Sequence, residues 1–241
     1  MNTHAAPRSG PSALLPAIEV ETGPAPVASV IWLHGLGADG HDFEPVVDAL
    51  DLHDLPPIRF VFPHAPPRPV TINAGYVMRA WYDIVSADFS PRREDPQGVH
   101  DAAAQIEALI ARENARGVDD RNIVLAGFSQ GGAIALHVGL RHPGRLAGIM
   151  ALSTYVPLAD TLAAELAPAN RDIPIFMAHG RDDNVIPCTF GRASCDLLGG
   201  LGLSPKWVDY PADHTVTMDE LHDIQDWLRE SALKHLARGG Y

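Results

Sequence analysis

The chain has 241 residues, long enough for one domain with a large core. It carries 30 acidic against 18 basic residues, a net charge of −12, and its two lysines are Lys206 and Lys234. With so few and such scattered cations, a nucleic-acid-binding face and a polybasic membrane patch are excluded.

Residues 1–16 are rich in Pro, Ser, Ala and Gly and are expected to form a flexible N-terminal tail. The apolar stretch 13–18 is short and interrupted by Pro16, which does not make a secretory signal. No segment is long and apolar enough for stable membrane insertion. From residue 17 to 238 a single domain is expected. Short β-branched runs at 29–33, 58–62, 122–126, 148–152, 173–177 and 206–210 read as buried strands.

Between them lie helical patterns. Val99, Ala102, Ala103, Ile106, Leu109 and Ile110 form one apolar face, with Asp101, Glu107, Arg112 and Glu113 off it. Met218, Leu221, Ile224, Leu228 and Ala232 form another, with Thr217 as N-cap and Glu220 three residues on, a capping-box pattern. Strands alternating with helices predict an α/β fold, a mostly parallel, doubly wound sheet with helices on both faces. Residues 63–97, with six prolines, read as an irregular loop, either a lid or substrate-binding wall or a surface excursion. Cys188 and Cys195 lie in a segment that looks helical. At ~1.5 Å rise per residue their Cα atoms are roughly 10 Å apart, too far for a disulfide. A reducing cytoplasm is the expected setting.

The densest signal is Gly127-Phe128-Ser129-Gln130-Gly131, between the strand ending at 126 and a helix starting near Gln130. Gly-x-Ser-x-Gly at a strand-to-helix turn is the nucleophile elbow, which lifts a serine above the carboxyl edge of the sheet. A serine needs a base, and the base an orienting acid, in the order Ser, acid, His. Downstream, Asp182 and Asp183 follow the strand ending at 177, and His214 follows the strand ending at 210. Both loops lie at the same sheet edge. Position alone does not choose between the two aspartates. His222 and His235 fall on the last helix, away from strand ends. His179 reads as a buried residue holding the acid loop.

Acyl transfer also needs donors for an oxyanion. The backbone N–H of Gln130 is one, and the glycine-rich loop 34–40 supplies Leu36 N–H as the other. The same loop contains Gly35-x-Gly37-x-x-Gly40, a dinucleotide fingerprint, which brings in an NAD-binding oxidoreductase as a remote alternative. That reading wants an acid ending the next strand, and this one ends Phe62-Pro63-His64. No paired His/Cys spacing or H-E-x-x-H points to a metal.

With these motifs in place, the sequence resembles the phospholipase/carboxylesterase family of α/β-hydrolases from about Val27 to Leu236. The resemblance rests on Leu33-His34-Gly35-Leu36-Gly37, on Gly127 to Gly132, on His179-Gly180 with Asp183 and Val185-Ile186-Pro187, and on Tyr210-Pro211 with His214. The stretch 62–83 resembles the bacterial carboxylesterase branch in particular.

The resemblance implies a single-domain α/β-hydrolase with Ser129 as nucleophile, His214 as base and Asp183 as acid. Leu36 and Gln130 are its oxyanion donors, and no cofactor or metal is needed. It implies a serine carboxylesterase for short- to medium-chain acyl esters. The same machinery serves an acyl-protein thioesterase or a lysophospholipase. A non-catalytic ligand-binding protein on this fold is a further, remote alternative. Trp81 and Tyr82 would line an acyl wall, as in related enzymes, or serve as core aromatics. Some relatives form dimers, which leaves a homodimer open. Two departures bear on optimum pH and substrate range: Asp213 stands before His214 where many relatives have Gly, and Arg181 stands where the thioesterase branch often has an acid.

Overall fold

The computed structural model describes residues 14–86 and 94–236. Among them the chain forms β1 (Ala17–Glu21), β2 (Ala28–Leu33), β3 (Ile58–Pro63), β4 (Pro67–Val70), β5 (Tyr76–Arg79), β6 (Ile123–Phe128), β7 (Gly148–Leu152), β8 (Ile175–Gly180) and β9 (Lys206–Tyr210). The helices are α1 (Val46–Ala49), α2 (Pro96–Ala115), α3 (Gln130–Arg141), α4 (Ala159–Glu165), α5 (Cys188–Gly200) and α6 (Met218–Trp227). Seven strands make one sheet in the order β1-β3-β2-β6-β7-β8-β9. All neighbours are parallel except β1, which runs antiparallel to β3.

The central strands β2, β3, β7 and β8 are buried at every position. A parallel strand covered on both faces has no solvent side, which is why these runs are apolar at most positions rather than alternating, with Ser29, Arg59 and His179 as buried exceptions. One core lies under α2 to α5 and includes Ile106, Leu109, Ile134 and Leu198. The other lies under α6 and the segment around α1, and includes Trp32, Phe60, Phe176 and Trp227. Helices therefore cover both faces, as the alternating pattern predicts.

Four details depart from the sequence expectations. Order begins inside the stretch expected to be a tail: Leu15 is buried, and the Pro16 carbonyl accepts from His64 N at 2.8 Å. The remainder of that stretch, 1–13, lies outside the described residues, as do 237–241. β1 has no strand signal in the sequence, because its edge position leaves it half exposed and without an apolar run.

Segment 63–97 is not simply irregular. It carries the antiparallel ribbon β4–β5, in register Pro67↔Arg79 to Val70↔Tyr76. Two prolines disguise β4, yet a two-stranded ribbon is all edge and tolerates them. Residues 87–93 lie outside the described part. Pro96 then opens α2 behind the Asp95 cap, which accepts from Gly98 N.

Finally, Glu113 is fully buried, against the expectation that it lies off the apolar face of α2. Its Oε2 accepts from Ser29 Oγ at 2.6 Å and from the Arg59 guanidinium at 2.8 Å.

Candidate active site

β6 delivers the elbow. Ser129 has φ 55° and ψ −122°, a conformation that non-glycine residues rarely adopt, and α3 starts at the next residue. The two flanking glycines are required by space. A Cβ on Gly127 would lie 2.3 Å from the Gly131 carbonyl, and one on Gly131 would lie 2.3 Å from the Leu33 carbonyl. The strained residue is held on both sides. Ser129 N donates to the Leu152 carbonyl at 2.8 Å, and the Ser129 carbonyl accepts from Thr154 Oγ1 at 2.6 Å.

The three residues expected to act together do meet. Ser129 Oγ lies 3.0 Å from His214 Nε2, and His214 Nδ1 lies 2.6 Å from Asp183 Oδ2. A carboxylate only accepts, so Nδ1 carries the proton and Nε2 is free to accept from the serine hydroxyl. Phe128 packs against the His214 ring, with centroids 4.7 Å apart.

Asp183 is buried, whereas Asp182 is exposed. The second Asp183 oxygen accepts from Val185 N at 2.9 Å and Ile186 N at 2.8 Å. His179, fully buried, has Nε2 2.8 Å from the Ile186 carbonyl and 3.3 Å from Asp183. Burial lowers its pKa, against the pull of those two oxygens, and Trp207 stacks on its ring. It thus braces the acid loop, the role its sequence position suggested. His222 is exposed and His235 bonds Asn122.

The loop after β2 runs beneath the serine. Gly37, with φ +79°, donates its N–H to the Arg79 carbonyl at 2.9 Å. Among the described residues, neither Leu36 N–H nor Gln130 N–H is engaged in a backbone hydrogen bond. His34 Nε2 accepts from Ala65 N at 3.0 Å, so its Nδ1 donates to the Gly35 carbonyl at 2.7 Å. Burial pushes the His34 pKa down to about 4, which keeps it neutral. The dinucleotide reading loses its footing here. No helix starts at Gly40, and α1, beginning at Val46, has four residues. A pyrophosphate site of that kind needs a helix N-terminus at the glycines.

A cavity of about 200 Å³ opens beside Ser129, lined by Leu36, Ile72, Tyr82, Ile84, Tyr155 and Val185 among others. The two aromatics paired in the sequence reading separate. Tyr82 lines this cavity, and its hydroxyl lies 2.8 Å from that of Tyr155. Trp81 is fully buried, is absent from the lining, and donates its indole N–H to the His34 carbonyl at 2.8 Å. Sequence reasoning missed Tyr155. It follows β7 at the carboxyl edge of the sheet, and the strand-end rule that found Asp183 and His214 applies equally to it.

A mostly parallel, doubly wound sheet bearing Ser129, His214 and Asp183 in a hydrogen-bonded line at its carboxyl edge has the architecture of an α/β-hydrolase. The profile of the Phospholipase/Carboxylesterase family matches residues 16–232, and the chain belongs to that family. It is 40% identical over 229 residues to acyl-protein thioesterase 1 of Neurospora crassa, covering 91% of this chain and 91% of that protein. It is 37% identical over 211 residues to acyl-protein thioesterase 1 of Gibberella zeae, covering 84% and 90%. The crystal structure of SOBER1 from Arabidopsis thaliana superposes with a TM-score of 0.79 at 32% identity, covering 84% of this chain and 97% of that one. The chain is thus a hydrolase. These sequence relatives are fungal thioesterases rather than members of the bacterial branch that residues 62–83 resemble. No helix among the described residues is long and apolar enough to cross a membrane.

Proposed function

We propose that the protein is a serine hydrolase cleaving acyl esters of short to medium chain length through an acyl-enzyme. Ser129 Oγ attacks the acyl carbonyl as His214 Nε2 takes its proton, and Asp183 stabilises the imidazolium that forms. Leu36 and Gln130 N–H groups hold the oxyanion, each donor worth about 10²–10³ in rate. His214 then protonates the departing alcohol or thiol. Water, deprotonated by the same nitrogen, releases the acid and restores Ser129.

The observation that carries this reading is the relay at 3.0 and 2.6 Å beside an apolar cavity of about 200 Å³. That volume is below the ~300–1,000 Å³ of sites for drug-sized ligands and suits a short acyl chain. A second reading, hydrolysis of acyl thioesters on proteins, is favoured by the two fungal relatives.

The test is a panel of initial rates on p-nitrophenyl acetate, butyrate, octanoate and palmitate, beside an octanoyl and a palmitoyl thioester. Ser129→Ala runs in parallel. A Ser129-dependent rate peaking at butyrate or octanoate supports the ester reading, and a preference for thioester at equal chain length supports the second. Equal rates for wild type and Ser129→Ala would leave a binding protein or a contaminant as the explanation.

A further inference from the structure

The Gln130 side chain does something its backbone role does not require. It is buried, and it brackets the strap 79–82 as a neighbouring strand would: Trp81 N donates to Gln130 Oε1 at 2.8 Å, and Gln130 Nε2 donates to the Tyr82 carbonyl at 2.7 Å. The strap in turn grips the loop after β2 at two points. Trp81 Nε1 donates to the His34 carbonyl, and the Arg79 carbonyl accepts from Gly37 N. These contacts fall on either side of Leu36. The Trp81 ring also packs on His34, with centroids 5.2 Å apart. A third tie closes the circuit. Arg79 donates to the Ala65 carbonyl at 2.9 Å, and Ala65 N donates to His34 Nε2.

We propose that the Gln130 side chain and Trp81 are positioning residues that set the Leu36 N–H against the Gln130 N–H. One residue thereby supplies one oxyanion donor and, through the strap, aims the other. The inference rests on the proposed acyl-transfer reading. Its physical basis is that the two donors sit on segments far apart in sequence: the Gly35 carbonyl, on the same peptide as the Leu36 N–H, is held inside the loop by His34 Nδ1 at 2.7 Å and Ala38 N at 3.3 Å, but only the strap and the Gln130 side chain tie that loop to the start of α3 with the precision an oxyanion demands. The buried amide supplies both a donor and an acceptor in fixed geometry, which a methionine or glutamate of similar size does not.

The experiment measures kcat and KM on p-nitrophenyl butyrate for wild type, Gln130→Met, Trp81→Phe, the double variant and Ser129→Ala. A trifluoromethyl ketone, which forms a tetrahedral oxyanion adduct with the serine, is titrated against each. Trp81→Phe keeps an aromatic ring and deletes the indole N–H, so it serves if Gln130→Met does not fold. The expected result is a loss in kcat of about 10- to 100-fold for each single variant, the scale of a small misplacement of catalytic groups. KM stays near the wild-type value, and the ketone Ki rises by the factor that kcat/KM falls. The double variant is no worse than the weaker single one, because both act along one path. Wild-type kcat in either folded variant, a loss confined to KM, or losses that multiply in the double variant would each overturn the proposal. Absence of Ser129-dependent turnover in the wild type is a different failure, since it removes the acyl-transfer reading itself and this role with it.

Discussion

Ser129 sits where its backbone is least comfortable. A non-glycine residue at such a φ and ψ costs about 1–3 kcal/mol and persists because its surroundings hold it. Ser129→Gly should therefore be inactive yet more stable than Ser129→Ala, which keeps the Cβ. After the extra chain entropy of glycine, about 0.5–1 kcal/mol, a net gain near 1 kcal/mol corresponds to a Tm higher by roughly 2–4 °C in calorimetry.

Tyr155 offers a second residue-scale prediction. Burial pushes its phenol up to about 12, so its hydroxyl stays protonated beside that of Tyr82 at the cavity wall. Tyr155→Ala enlarges the cavity. Each added methylene buried is worth about 0.8 kcal/mol, so room for two more should raise kcat/KM on the octanoate ester relative to butyrate by about tenfold. An unchanged ratio would place the acyl chain elsewhere.

Single residues also mark how far the sequence could be read. The elbow and the loops that bring Asp183 and His214 to Ser129 were legible because each joins a local pattern to a strand end. The choice of Asp183 over Asp182 came from the family resemblance and not from position, since neighbours in a turn share their environment until the fold buries one. Glu113 was misjudged through its charge rather than its position. Four residues after Leu109 and three after Ile110, it lies on the apolar stripe.

At the scale of elements, α6 begins as its capping box predicts: Thr217 Oγ1 accepts from Glu220 N at 3.1 Å. The price is a buried carboxyl, and Glu220 Oε1 has no hydrogen-bond partner among the described residues. Burial pushes its pKa from about 4.5 to about 8; the Thr217 N–H opposes the shift and the charge of Asp223 adds to it. Between those values the folded chain holds a proton that the unfolded chain has released, so this group makes stability fall as pH rises through that window. Glu220→Gln escapes the penalty. Its Tm advantage over wild type should be small near pH 5 and grow up to about pH 9, and a pH-independent gap would contradict the buried-acid account. The ribbon β4–β5 was the least legible element. Prolines conceal it from any propensity argument, and what defines it is pairing, with its position set by contacts to the loop after β2.

Across the whole molecule, one ionic network ties the helical layer to the sheet edge far from the chemistry. Glu113 on α2 meets Arg59 on β3, Arg59 meets Glu21 on β1 at 2.9 Å, and Arg116 meets Glu19 at 2.9 Å. Arg59 is itself almost fully buried. Glu113→Ala strands that guanidinium, and removing one partner of a buried pair costs about 3–5 kcal/mol. The lower end is expected because Glu21 remains. A Tm drop of roughly 6–12 °C should follow, with kcat at 25 °C intact. A comparable loss of kcat would mean the network reaches the site.

The sheet order places His214, the proposed base, on the loop after the outermost strand, β9, 85 residues beyond the serine. On the proposed mechanism the nucleophile is therefore made long before the group that activates it. On that mechanism a nascent chain ending before His214 has no base for the Ser129 hydroxyl. Under the proposed mechanism turnover should begin only when β9 has paired with β8 and brought His214 to Ser129, so the onset of ester cleavage in a translation reaction should be a clock for completion of the sheet.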